Sequence, residues 1–162
     1  MKAAASNMKG ARREDGEVTR WVGFRVGSQN YALDILRVQE VLAAAEIEPV
    51  PGTPPAVLGV TNLRGRIVTV VDLRRCLGLG TAMADAPCSV IVAEIEGEPV
   101  GLRVDGVAEI CSIATAAIKP APATQGRIPD PLVRGIVSRG GETGMLTLLD
   151  ADRLGVVAAL PS

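Results

Sequence analysis

One half of this chain is written over the other. Tyr31-Ala32-Leu33-Asp34-Ile35-Leu36-Arg37-Val38-Gln39-Glu40-Val41 lies over Val100-Gly101-Leu102-Arg103-Val104-Asp105-Gly106-Val107-Ala108-Glu109-Ile110 at an offset of 69, which matches Val38 to Val107 and Glu40 to Glu109. Leu58-Gly59-Val60 returns as Arg134-Gly135-Ile136 at an offset of 76, and Val71-Asp72-Leu73 as Leu149-Asp150-Ala151 at 78. The offset drifts in loops, where insertions cost little. A repeat this long, present only twice, is not a solenoid. Each copy reads as about five short strands ending in a helical turn. Five such strands with tight turns suggest a small closed or nearly closed barrel, which removes exposed edges. The predicted fold is mostly β, two five-stranded barrels side by side about a pseudo-twofold, with short helical segments. A groove between the copies is the place to look for a partner.

The strand pattern follows from residue types. Residues 1–17 mix charged and small residues without periodicity and read as a flexible tail. The ordered unit spans 18–157 and is expected to hold two intertwined barrels with a boundary near 80–88, and 158–162 form the C-terminal end. Val22, Phe24 and Val26 alternate, and Gly27-Ser28-Gln29-Asn30 turns the chain into Tyr31, Leu33 and Ile35. Residues 34–42 read two ways. Ile35, Val38, Val41 and Leu42 mark a helical stripe, whereas Leu36, Val38 and Glu40 mark one side of a bent strand. A strand with a kink or a single helical turn is preferred, because the preceding strand already runs into Ile35. Prolines at 49, 51, 54 and 55 force an irregular crossing, mirrored by Pro120, Pro122, Pro129 and Pro131.

In residues 59–74, two apolar runs flank the turn Asn62-Leu63-Arg64-Gly65, where Gly65 supplies backbone freedom. A short helix over 72–79 starts near Asp72 and ends at Gly78 and Gly80. The second copy replaces the turn by Ser138-Arg139-Gly140-Gly141. A core requirement would act on both copies alike, so the first turn answers to something asymmetric, a partner or an unequal packing environment. Arg64 could hold a carboxylate from another strand through its planar fork.

Composition excludes most chemistry. The 162 residues contain one Trp, one Tyr, one Phe and no His. The core must be aliphatic, and histidine-dependent triads are impossible. There is no phosphate-binding loop and no dinucleotide fingerprint. Asp72, Asp105, Glu109 and Asp150 are spread along the chain and read as caps and turn residues rather than an acid–base pair. The glycine-rich run 140–144 reads as a hairpin loop. A net charge of −1 creates no field for nucleic acid or an anionic membrane. Arg12, Arg13, Arg64, Arg66, Arg74 and Arg75 have no aromatic beside them to stack a base. Cys76, Cys88 and Cys111 are odd in number and scattered, which suggests reduced structural thiols and no metal or cofactor. With no apolar run to span a bilayer or act as a signal, a soluble cytoplasmic protein without membrane insertion is expected.

Several segments together carry a family likeness. The run 31–41, Gly59-Val60-Thr61-Asn62-Leu63-Arg64-Gly65 and Val70-Val71-Asp72-Leu73-Arg74 resemble CheW, the chemotaxis coupling family. Val100-Gly101-Leu102-Arg103-Val104-Asp105-Gly106-Val107 and Ile118-Lys119-Pro120-Ala121-Pro122 extend the likeness, which covers residues 18–157 in order. The resemblance implies two SH3-like barrels. It also implies a non-enzymatic, cofactor-free adaptor between methyl-accepting chemoreceptors and the histidine kinase CheA, at receptor clusters on the inner face of the membrane. By position, Ile35, Glu40, Val41, Val100, Gly101 and Val104 would meet the receptor's helical hairpin tip, a helix-in-groove contact. Barrel core is the other reading for Ile35, Val41, Val100 and Val104.

Ile47, Glu48, Leu58, Gly59 and Ile67, on the first barrel, would meet the CheA regulatory domain. Asn62, Arg64 and Gly65 form a structural turn, and Arg64 is expected to pair with Glu40 and brace the receptor-facing wall, a solvated arginine being the alternative. After Pro122, relatives carry an acidic residue and an aromatic where this chain has Ala123-Thr124, which implies a weaker second kinase contact. Two further readings are a coupler for surface sensing or twitching motility, and a small-barrel nucleic-acid or ligand-binding protein.

Overall fold

A computed structural model describes residues 17–78, 89–121, 132–140 and 144–158. The first copy contributes β1 (Val18–Val26), β2 (Gln29–Asp34), β3 (Val38–Leu42), β4 (Val57–Leu63) and β5 (Arg66–Asp72), then helix α1 (Leu73–Cys76). The second contributes β6 (Ser89–Ile95), β7 (Glu98–Val104), β8 (Gly106–Ala114), β9 (Val133–Gly140) and β10 (Gly144–Leu149), then α2 (Ala151–Ala158). Residues 34–42 resolve as the bent-strand reading: a single 3-10 turn, Ile35–Arg37, separates β2 from β3, and Asp34 caps it by accepting from the Leu36 N–H at 2.9 Å. Helix α1 is shorter than the expected 72–79, and Asp72 caps it by accepting from the Arg74 N–H at 3.1 Å.

The duplication is real, but the barrels do not follow it. One sheet, here sheet A, has the order β8-β1-β2-β10-β9, and sheet B the order β3-β6-β7-β5-β4. Each takes the first two strands of one copy and the last three of the other. The expected boundary near 80–88 therefore separates repeats of sequence, not barrels, and residues 79–88 lie outside the described ones. The physical reason lies in the pairing. Strand five of each copy adds in parallel to strand two of the other, β10 to β2 and β5 to β7, and a parallel partner must arrive through a long crossover.

Neither sheet is a closed barrel. Sheet B ends at β3 and β4, and among the described residues the backbone bridge between those edges joins Glu48, beyond β3, to Val60 of β4. In sheet A, Lys119 bridges Ile136 in the same way. At both bridges a glycine lets the crossing chain approach. A Cβ on Gly59 would stand 2.0 Å from the Glu48 carbonyl oxygen, and one on Gly135 would stand 2.8 Å from that of Lys119. Such contacts leave room for hydrogen only.

Alternation along the strands sorts side chains into three apolar layers. Val68, Val70, Val90 and Val92 fill barrel B, joined by Leu42, Ile47, Leu58 and Leu63. Trp21, Ala32, Ile113, Val137, Leu146 and Leu148 fill barrel A, and Arg134 stands over the Trp21 ring. A larger layer between the sheets holds Phe24, Leu33, Val71, Ile91, Leu102 and Leu154 among others, with Phe24 and Tyr31 stacked at 6.0 Å. With so few aromatics, aliphatics carry nearly all of this packing, as composition required.

Candidate functional site: the seam of barrel B

The open edge of sheet B carries most of the residues singled out in the sequence. On one side of the seam, Arg64 at the β4–β5 turn reaches Glu40 of β3, Nη2 to Oε1 at 2.9 Å. On the other, Glu48 and Val60 exchange backbone hydrogen bonds at 2.8 and 2.9 Å, and the Thr61 hydroxyl donates to the Glu46 carbonyl at 2.8 Å. Between these fastenings lies a groove of about 710 Å³, walled by Val41, Ala43, Ala44, Ala45, Glu46, Glu48, Val60, Asn62 and Ile67. Val41 is 41% exposed and Ile67 63%. The groove offers aliphatic anchors with acidic groups on its rim, a chemistry that suits apolar side chains flanked by basic ones.

The turn that aims Arg64 is built for the purpose. Arg64 and Gly65 have φ of +55° and +84°, two left-handed residues in succession, the conformation of a tight two-residue hairpin turn. The Asn62 side chain accepts from the Gly65 N–H at 2.8 Å and closes the turn. Glycine meets this conformation freely; arginine does so at a cost of about 1 kcal/mol. The ion pair it gains is mostly exposed on the arginine side and contributes no more than about 1 kcal/mol. Stability alone does not choose arginine here.

Ile35, Glu40 and Val41 reach the surface on the 3-10 turn and β3. Val100 and Val104 do not. They are 4% and 0% exposed in the layer between the sheets, out of a partner's reach. Gly101 faces the interior of barrel B, where a Cβ would come within 2.9 Å of Val90 Cγ1 and 3.1 Å of Val70 Cγ2; its small size serves packing. The expectation that these residues line a groove between barrels needs correction: β3 and β7 lie in one sheet with β6 between them.

The expected kinase-facing set also falls on barrel B, which contains strands of both copies. Glu48 and Ile67 are exposed, Ile47 and Leu58 are half-buried against its interior, and Gly59 is buried with φ +153° as the seat of the seam bridge. Ala123 and Thr124 lie outside the described residues. Sequence reasoning missed the groove's floor, Ala43, Ala44, Ala45 and Val60. In the second copy the positions that answer to Val41 and Ile67, Ile110 and Met145, are likewise exposed, at 58% and 54%.

Asp72, Asp105 and Asp150 serve as caps and pair partners: Asp105 meets Arg74 at 3.1 Å, and Asp150 accepts from the Asp152 N–H at 3.0 Å. Cys76 and Cys111 are buried thiols, and burial, with the Asp72 charge second, pushes the Cys76 thiol up to about 11. Among the described residues, no three His, Cys, Asp or Glu side chains gather as a metal site, and no helix is long and apolar enough to cross a membrane.

A pair of exchanged SH3-like barrels with an apolar, acid-rimmed seam defines a protein-binding module. The model of the CheW-like domain matches residues 20–157. The chain is 33% identical to the chemotaxis protein CheW of Rhizobium meliloti, covering 81% of this chain and 83% of that protein. It is 34% identical to CheW of Klebsiella aerogenes over 81% and 78%, and 31% identical to protein FrzA of Myxococcus xanthus over 81% of each. The crystal structure of the scaffolding protein TtCheW from Thermoanaerobacter tengcongensis superposes with a TM-score of 0.74 at 32% identity, covering 85% of this chain and 92% of that one. The chain belongs to the CheW-like family, a family of chemotaxis scaffolds.

Proposed function

We propose that this protein is a non-enzymatic adaptor that couples methyl-accepting chemoreceptors to the histidine kinase CheA, in the cytoplasm at receptor clusters. The observation that carries this reading is the seam of barrel B. Ile35, Glu40 and Val41, matched to receptor-facing positions, lie on the 3-10 turn and the edge strand β3; Glu48 and Ile67, matched to kinase-facing ones, lie on the segment after β3 and on β5 beside the edge strand β4; the Glu40–Arg64 pair ties the β3 and β4 edges together. A receptor helix laid along β3 would bury Ile35 and Val41 and press on Glu40. Through Arg64 that pressure reaches the β4–β5 hairpin, which carries Ile67. Two ligands sharing one tied wall can alter each other's affinity, which is what coupling requires. Val100, Gly101 and Val104 then act as the wall's backing rather than as contacts.

The test is titration of a receptor cytoplasmic fragment against the protein and two variants. Val41→Arg should abolish receptor binding while leaving the melting temperature near the parent's, because Val41 is exposed. Ile67→Arg should spare it. Undiminished receptor binding by folded Val41→Arg would remove β3 from the receptor surface. The similarity to FrzA favours a second reading within the class, a coupler for a non-flagellar pathway such as surface sensing or twitching motility. Loss of swimming bias without loss of surface motility in a deletion strain would exclude it.

A further inference from the structure

Among the described residues the chain passes from one sheet to the other at two points. It leaves sheet A for sheet B through the 3-10 turn Ile35–Arg37, and returns at Asp105, between β7 and β8. Each crossover carries a charged side chain held by groups from both sheets. Arg37 forms a two-pronged pair with Asp152, at 2.8 and 3.0 Å, just beyond β10 of sheet A; its Nη1 also donates to the Glu94 carbonyl on β6 of sheet B at 3.3 Å. Asp105 accepts from Arg74, just beyond β5 of sheet B, at 3.1 Å, and from the Gly27 N–H in the β1–β2 turn of sheet A. Arg74 and Asp152 are equivalent positions of the two copies at an offset of 78, and Arg37 and Asp105 stand one position out of register at the offset of 69, so the two crossovers carry similar devices with their charges reversed.

The layer between the sheets is aliphatic, and burial of that kind is strong but without direction. Its packing holds the two sheets together as one body and limits their angle only as closely as the aliphatic side chains interlock. Charge-assisted hydrogen bonds do specify geometry, the two-pronged Arg37–Asp152 pair more closely than the single Arg74–Asp105 contact. We propose that Arg37–Asp152 and Arg74–Asp105 are a matched pair of clamps that set how sheet A is oriented on sheet B. These four are positioning residues, acting through the crossovers and not by touching a partner. The inference does not depend on which partners the seam binds. Where a ligand sits on the 3-10 turn, however, it would load the Arg37 clamp first.

Residual dipolar couplings on uniformly 15N-labelled protein test this directly, because each sheet reports its own alignment frame. The parent should fit one frame. In Arg37→Gln/Asp105→Asn, each sheet should keep its internal couplings while the two require separate frames. Arg37→Asp alone should also separate them, and the exchanged pair Arg37→Asp/Asp152→Arg should restore a single frame. A folded Arg37→Gln/Asp105→Asn protein with both sheets in one parental frame would overturn the proposal, as would failure of the exchanged pair to recover it. Should the double variant not fold, Arg37→Gln alone decides: its pair is the more exposed, and an unchanged frame there counts against the clamps.

Discussion

Gly59 inside β4 and Gly65 in the turn that follows it are six residues apart, yet they do different work. At Gly59 a side chain meets backbone, 2.0 Å from the Glu48 carbonyl oxygen; at Gly65 nothing lies within 4 Å of an added Cβ. Gly59→Ala should therefore cost at least about 3 kcal/mol and lower the melting temperature by roughly 6–12 °C, and Gly65→Ala only about 1 kcal/mol. Equal losses in thermal denaturation would mean that the seam bridge adds nothing. Arg64 separates stability from function. Asn tolerates left-handed backbone, so Arg64→Asn should melt within a degree or two of the parent while weakening receptor binding. In a double-mutant cycle, Glu40→Ala and Arg64→Ala should couple by about 0.5–1 kcal/mol in receptor affinity. Independent effects would show that the pair does not brace the wall. Arg64 itself was readable in the sequence because its turn differs between the copies. Its partner was legible only through family likeness, since Glu40 recurs as Glu109 and so carries no asymmetry.

The elements show why strands were easier to read than sheets. Alternation in β1 and β2, the tight turns and the drifting offset predict ten strands and two terminal helical turns, and those are present. Pairing between copies was not legible. The inward pattern of β5 is the same whether it joins its own copy's second strand or the other copy's, so periodicity cannot distinguish the two. Val100 and Val104 were placed on a partner surface by family position, with barrel core as the other reading; β7 is covered on both sides, and core is where they lie. Helix α1 supplies an element-scale prediction from Cys76, buried against the layer between the sheets. Its thiol, pushed up to about 11, stays protonated in the folded chain when an unfolded chain has already ionised. Its contribution is complete below the ordinary thiol range and is lost as pH rises through about 11. Stability should fall across that window in denaturant melts, and Cys76→Ala should flatten that part of the profile. A slope unchanged in Cys76→Ala would assign the loss to other groups.

At the scale of the whole molecule, exchange of strands makes the two barrels one body, and the account needs that. Every strand of barrel B that faces the seam is anchored to the layer shared with barrel A, so a force on β3 is resisted by the entire domain rather than absorbed by a loop. The surfaces proposed for receptor and kinase border one groove through Val41, Glu48 and Ile67, close enough to influence each other. They must nevertheless be filled together for the protein to couple anything. The direct test is calorimetric titration of the CheA regulatory domain into the protein, free and saturated with a receptor fragment, with Ile67→Arg as control. The account predicts saturable kinase binding in both cases, an affinity altered but not abolished by the receptor, and loss of kinase binding in Ile67→Arg. Mutually exclusive binding, or no binding at high micromolar concentration by the folded protein, would contradict it.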